Sequence, residues 1–218
     1  MFGYPSSIRI YDITVPLGPD THIWDDGAPP RFLTQYSILA GDFANVTTLE
    51  MGAHSGTHTD APSHFIAGGA TIDRLPASTL VGSALVVEHS GASHITAGDL
   101  DALGVDGRCE RVLFKTSNGS LWDSPSFRRD FIALTPSAAV RLVEIGVRLV
   151  GIDYLSVDPF EAGNDCPVHG TLMSSGVAIL EGADLREVPA GEYLVVCAPM
   201  KLVGAEGAPT RAFLIEGR

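Results

Sequence analysis

The sequence predicts a mixed α/β domain dominated by one large, β-rich sheet with a few packed helices. Three observations predict it. Short runs rich in Val, Ile, Leu and Phe recur along the chain, each bounded by Gly, Pro, Asn or Asp. One strongly signalled helix lies between two of those runs, the pattern of a crossover joining parallel strands. No linker-like tract or internal repeat divides the 218 residues, so a single domain is expected.

In chain order, the expected strands are "SIRIYDITV" from Ser7, "NVTTLEM" from Asn45, "SALVVEHS" from Ser83, "RVLFKTS" from Arg111, "VRLVGID" from Val147, "GVAILEG" from Gly176, "EYLVVCAP" from Glu192 and "RAFLIEG" from Arg211. Eight such runs imply a large sheet. The clearest helix is "TPSAAVRLVEIG": Thr135 suits the N-cap, Pro136 the first helical position, and Gly146 the residue just past the end. Shorter helices are expected over "TAGDLDAL", capped by Thr96, and over "TLMSSG" from Thr171.

Composition narrows the function. At 45% hydrophobic and 18% charged residues, the chain can bury a core comprising roughly 70% of its unfolded surface. A formal charge of −12 makes nucleic acid an unfavourable partner, because phosphate backbones are neutralised by clustered Lys and Arg. No apolar run reaches the roughly 18 residues of a membrane span and no secretory leader opens the chain, so a cytoplasmic protein is expected. Cys109, Cys166 and Cys197 are widely spaced and form no CxxC pair, which suits reduced, mostly structural thiols.

One stretch stands apart. "HSGTHTDAPSHF" places His54, His58, Asp60 and His64 within twelve positions. Neutral imidazole and carboxylate are good ligands for zinc or manganese, and ligands on one ion lie within about 3 to 3.5 Å of each other. A fully extended strand would hold His54 and His58 about 13 Å apart. Gly56 and Pro62 disfavour a long helix, so a tight turn after "NVTTLEM" is the expected geometry, wrapping the segment round a point. On spacing alone, a polar loop of surface or capping histidines remains an alternative.

"HSGTHTDAPSHF" resembles the HxGTHxDxPxHF signature of the cyclase superfamily of metal-dependent hydrolases, which includes bacterial kynurenine formamidases and isatin hydrolases. The resemblance extends to "YDITVPL" with Trp24 after it, "GVRLVGIDYLSVDP", "PVHGTLMSSGVAILEG" and "VPAGEYLVVCAPMKLVGAEGAPTRAFL". It implies a swivelling β/β/α fold and two divalent ions per subunit, zinc or manganese. His54 and His58 would bind one ion, His169 the second, and Asp60 and Glu181 would bridge them. His64 would transfer protons, Trp24 would line the substrate pocket, and the subunit would form a homodimer or higher homo-oligomer. The apolar segment "MFGYPSSIRIYDITV" is a place for such a contact.

Physical chemistry agrees with these roles. Glu181 closes an apolar run; by sequence alone a strand-end Glu facing solvent is the expected reading, and it is the resemblance that implies a buried carboxylate compensated by a cation. A histidine with an ordinary pKa near 6.5 can take and return a proton, which suits His64 to act as base and then acid. Ser55 and Ser63 lack the elbow motif of a serine nucleophile. The expected reaction is hydrolysis of a C–N amide bond in a small aryl substrate without a covalent enzyme intermediate, with N-formylkynurenine as the leading specific substrate. Tyr154 and Leu155 stand where formamidases carry a Thr-Pro pair. If they face the pocket, ring opening of isatin or another cyclic amide or lactone becomes credible. A module that binds metal without catalysis is the alternative from another class. His22 receives no role, and His89 and His94 are expected to face solvent.

Overall fold

The computed structural model describes residues 8–25 and 27–216. Its strands are β1 (Arg9–Asp12), β2 (Arg31–Tyr36), β3 (Val46–Glu50), β4 (His58–Asp60), β5 (Val81–Glu88), β6 (Arg111–Lys115), β7 (Leu149–Ile152), β8 (Ala178–Glu181), β9 (Gly191–Pro199) and β10 (Gly207–Glu216). Four helices accompany them: α1 (Ala77–Leu80), α2 (Ala97–Ala102), α3 (Pro136–Glu144) and α4 (Pro167–Ser174).

The strands β10, β4, β8, β7, β6, β5 and β9 bond in that order, and β9 pairs with β10 again, so the mixed sheet closes into a barrel. From β5 to β8 the pairing is parallel. Each of those parallel steps is bridged by a helix, α2, α3 and α4 in turn, as parallel connections require. The short antiparallel strand β4 and the two long strands β9 and β10 complete the ring. β1 lies along the far end of β10, from Phe213 to Glu216, beyond the part that pairs with β4.

Side-chain alternation divides the core in two. Ala84, Val86, Leu113, Leu149, Leu180, Val195 and Leu214 fill the barrel interior. Their neighbours Val87, Val112, Phe114, Val150, Ile152 and Ile179 point the other way, against Leu100, Leu142 and Leu172 of the helices. β7 and β8 are therefore buried on both faces and read as continuous apolar runs.

The helix signals hold where they are local. Thr135 accepts the Ala138 N–H, Pro136 begins α3, and Gly146 follows at φ 85°. Thr96 and Asp99 form a reciprocal capping box at α2. Three expectations are corrected. α4 begins at Pro167, four residues before the expected "TLMSSG" helix, because Pro167 can occupy the first turn, where no intrahelical N–H bond is needed. "NVTTLEM" does not join the large sheet; β3 pairs only with β2, a strand the apolar-run pattern passed over. The stretch after His54 is not a turn throughout: it becomes the strand β4 at His58. The first seven residues of the expected N-terminal contact segment lie outside the described residues.

Candidate metal centre

β4 is three polar residues, yet all three are buried, because it is clamped between β8 and β10. His58 lies opposite Glu181 and Asp60 opposite Ile179, so His58, Asp60 and Glu181 share the face that Ile179 presents to the helices. Thr59 points into the barrel instead, bonded to Thr210 Oγ1 at 2.8 Å. The centre therefore sits on the outer face of the barrel wall. His54 joins it from the turn before β4, which bends at Gly56 with φ 62°. The end of β8 comes so near that a Cβ on Gly182 would meet Gly56 O at 2.5 Å. From the helix side, α4 brings His169 over the same spot.

Five side chains converge. His58 Nε2 lies 3.2 Å from Glu181 Oε2 and 3.5 Å from Asp60 Oδ1. His169 Nε2 lies 3.2 Å from Glu181 Oε1 and 3.7 Å from Asp60 Oδ2. His54 Nδ1 is 2.8 Å from Asp60 Oδ1. The donor atoms form overlapping groups about Asp60: His58, Asp60 and Glu181 in one, His54, Asp60 and His64 in another. The structure thus brings together the five sequence-expected ligands and places His64 within the same cluster, its ring stacked on His54 at 4.1 Å.

The tautomers fit a cation. His58 Nδ1 is 2.8 Å from Gly56 O and His169 Nδ1 is 2.7 Å from Asp158 Oδ2, so each ring donates outward from Nδ1. In a neutral ring the lone pair of Nε2 then faces carboxylate oxygens, an arrangement that requires a proton or a metal between them. Asp60 Oδ2 and His54 Nε2 are buried without a hydrogen-bond partner; Glu206 Oε1 stands 3.4 Å from His54 Nε2 but outside bonding geometry. Unsatisfied buried groups of this kind are costly unless a ligand completes them.

The electrostatics follow. Burial alone depresses His58, but the charges of Asp60 and Glu181 outweigh it and raise the ring to about 9. His169 is likewise held well above its ordinary value, with Glu181 and Asp158 overcoming burial. Burial favours neutral Asp60 and Glu181, yet the facing histidines keep both carboxyls below the usual range. His64 behaves differently. Burial leads, the neighbouring His54 and His169 oppose its charging, and its pKa falls.

A cavity of about 320 Å³ opens onto the centre. His54, His58, His64, His169 and Glu181 form its polar side, and Trp24, Phe65 and Leu155 its apolar side. Trp24 is also packed against Phe127 and Phe160, at 5.2 and 5.4 Å between ring centroids, so it anchors its loop and faces the cavity at once. Phe65 stacks on His169 at 4.6 Å. Leu155 reaches the cavity, but Tyr154 does not: it is fully buried, with its hydroxyl taking the Arg128 N–H at 3.0 Å and lying 3.2 Å from His22 Nδ1.

Several residues carried no sequence signal for this site. Asp158 also accepts the Val168 and His169 backbone N–H groups, fixing the start of α4; its place in "SVDP", shortly before "PVHG", is the one clue. Cys166 and Ser156 line the cavity. His89 is buried rather than solvent-facing, because its own turn folds back and Ser93 O lies 3.0 Å from Nε2. His94 is partly exposed, 3.1 Å from Glu161. The cysteines are free, with Cys197 buried and its thiol pushed up to about 12 by burial. No helix among the described residues is long and apolar enough to cross a membrane.

Comparison with known proteins identifies the family. Cyclase-like protein 1 of Arabidopsis thaliana is 37% identical over 220 residues, covering 95% of this chain and 85% of that protein. A solved structure described as a predicted metal-dependent hydrolase from Bacillus stearothermophilus is 34% identical, with TM-score 0.82 over 97% of this chain and all of the other. Isatin hydrolase A from Labrenzia aggregata, solved with benzyl benzoate, is 25% identical, with TM-score 0.84 over 97% of this chain and 94% of its own. The Cyclase family model matches residues 11–159, well over half of the sequence, and the chain belongs to the Cyclase family.

Proposed function

We propose that the protein is a metal-dependent hydrolase that cleaves a C–N amide bond in a small aryl substrate. The observation that carries this reading is the convergence of His54, His58, Asp60, His169 and Glu181 beside a cavity that Trp24 and Phe65 also line. Two divalent ions, zinc or manganese, held by these residues would supply Lewis acidity and a water of lowered pKa.

The chain's own residues account for the rest. Trp24 and Phe65 offer flat faces against which an aryl ring can stack, orienting the scissile bond toward the polar wall. His64, at the cavity edge with a lowered pKa, is neutral near pH 7 and able to accept a proton at a ring nitrogen. Returning that proton to the departing nitrogen spares it from leaving as a strongly basic anion. Burial of His58, Asp60, His169 and Glu181 lowers the local dielectric and strengthens the electrostatics among them.

N-formylkynurenine is the first specific substrate to test, from the resemblance in the motifs. One observation favours a second reading, ring opening of an uncharged cyclic amide such as isatin: no Lys or Arg is among the described residues lining the cavity, so a substrate carboxylate held away from the metal ions would find no cationic side chain there. Following the absorbance of each compound with purified, metal-loaded protein separates them. Turnover of either that disappears in His64→Ala supports the hydrolase; absence of hydrolysis across a panel of aryl amides and cyclic amides, with metal bound, contradicts it.

A further inference from the structure

His22 takes no part in the metal centre, and Tyr154 departs from the formamidase pattern; the fold bonds the two to each other. His22 is 7% exposed and Tyr154 is fully buried. Ser124 O lies 2.8 Å from His22 Nε2, and a carbonyl can only accept, so Nε2 carries the ring proton. In a neutral ring Nδ1 is then the acceptor for the Tyr154 O–H, 3.2 Å away. The Tyr154 oxygen in turn accepts the Arg128 N–H. Every side-chain polar atom of the pair is thereby used, and cutting the bond between them leaves a buried partner unsatisfied.

Placement gives the pair a task. Residues 16–25 form the loop that carries Trp24, and little else ties that loop to the body of the molecule. Thr21 bonds within the loop, accepting the Gly18 N–H and donating to Pro16 O. Asp25 pairs with Arg129, but these side chains are 37% and 60% exposed, and exposed ion pairs contribute little. Among the described residues, the buried side-chain bonds from the loop to the rest of the chain are those of His22. The other end of the pair is equally committed. The Tyr154 ring lies parallel to Phe127 at 6.1 Å, and Phe127 packs on Trp24 at 5.2 Å. One hydrogen bond therefore sets Trp24 from two directions, along the chain from His22 and through Phe127 from Tyr154.

The geometry points to His22 and Tyr154 as a positioning pair that holds the Trp24 indole in place for the aryl ring of the substrate. Neither residue lines the cavity, so both act through Trp24. A displaced indole loses its stacking face and leaves the metal centre intact, so the loss falls on binding of the ring and not on the bond-breaking step. The kinetic half of this inference rests on the proposed hydrolysis of aryl amides; the placement of Trp24 does not.

His22→Phe, which keeps a ring and loses both bonds, tests it in the metal-loaded full chain. KM for formanilide, a neutral aryl amide, is expected to rise about 2–10-fold, the worth of one aromatic pair, with kcat and metal content unchanged. Tyr154→Phe cuts the same bond from the other end and is expected to match it, with no further rise in the double variant, because the two side chains act as one unit. Trp24 can also be followed without turnover. The chain has two tryptophans, and in a Trp122→Phe background the Trp24 emission is expected to shift to the red and to quench more readily with acrylamide once His22 is replaced. Unmoved emission and quenching in a folded variant overturn the proposal, whether or not any amide is cleaved. An unchanged KM, or effects that add in the double variant, overturn it equally. Should His22→Phe fail to fold, Tyr154→Phe, which loses a single oxygen, carries both measurements. A wild type that cleaves no aryl amide while the emission shifts on substitution sinks the hydrolase reading and leaves the placement of Trp24 standing.

Discussion

Asp158 Oδ2 lies 2.7 Å from His169 Nδ1 and also accepts the His169 backbone N–H at 2.9 Å. One carboxylate thus fixes where α4 starts and which ring nitrogen of His169 faces Glu181 and Asp60. Such outer partners are typically worth about 10–100-fold in metal affinity. Asp158→Asn is expected to weaken zinc or manganese binding by about that factor, measured by competition with a chromophoric chelator, while the helical signal is retained. Unchanged affinity would show that His169 needs no such positioning.

His64 separates binding from turnover. Removing a general acid–base group typically costs about 10²–10⁴-fold in rate. His64→Ala is expected to lower kcat within that range and to retain bound metal, by elemental analysis. If metal is lost together with activity, His64 is a ligand, as its grouping with His54 and Asp60 would allow.

Gly207 guards the centre from β10. A Cβ there would stand 2.8 Å from His54 Cε1 and 3.2 Å from Asp60 Oδ1, inside ordinary contact. Gly207→Ala should push His54 off its position, and a misplacement of that size costs on the order of 10²-fold in turnover. A full-activity Gly207→Ala enzyme would mean that His54 tolerates displacement.

Asp153 gives a pH signature away from the centre. Burial raises its carboxyl to about 6, against the hydrogen bonds from Thr116. Because the folded state binds this proton more tightly than the unfolded chain does, the group's contribution is fully favourable below about 4 and is lost as pH rises to about 6, a change of roughly 3 kcal/mol. Relative to wild type, Asp153→Asn should gain stability progressively across that window in urea titrations. A difference that stays flat with pH would remove Asp153 from the linkage.

Much of this was legible where the cause is local. Thr135, Pro136 and Gly146 announce α3 because capping is decided within a few residues. The barrel strands β6 to β8 announce themselves as apolar runs because both their faces are buried. β4 was illegible because His58, Thr59 and Asp60 are polar, and only pairing with β8 and β10 makes them a strand. β2, "RFLTQY", escaped for a related reason: it lies on no core, so no apolar alternation marks it. The ligands His54, His58 and Asp60 were visible as a cluster in sequence. His169 and Glu181 were not; their convergence depends on register across β4 and β8 and on where α4 begins, and only the family motifs pointed to them. Asp158, which acts through His169, had no signal beyond its neighbourhood.

Anomalous diffraction at the zinc or manganese edge, on crystals of the metal-loaded protein, tests the metal centre most directly. Peaks about 2.0–2.2 Å from the inward-facing atoms of His54, His58, Asp60, His169 and Glu181 are the predicted result. A loaded crystal with no peak among those side chains would contradict it.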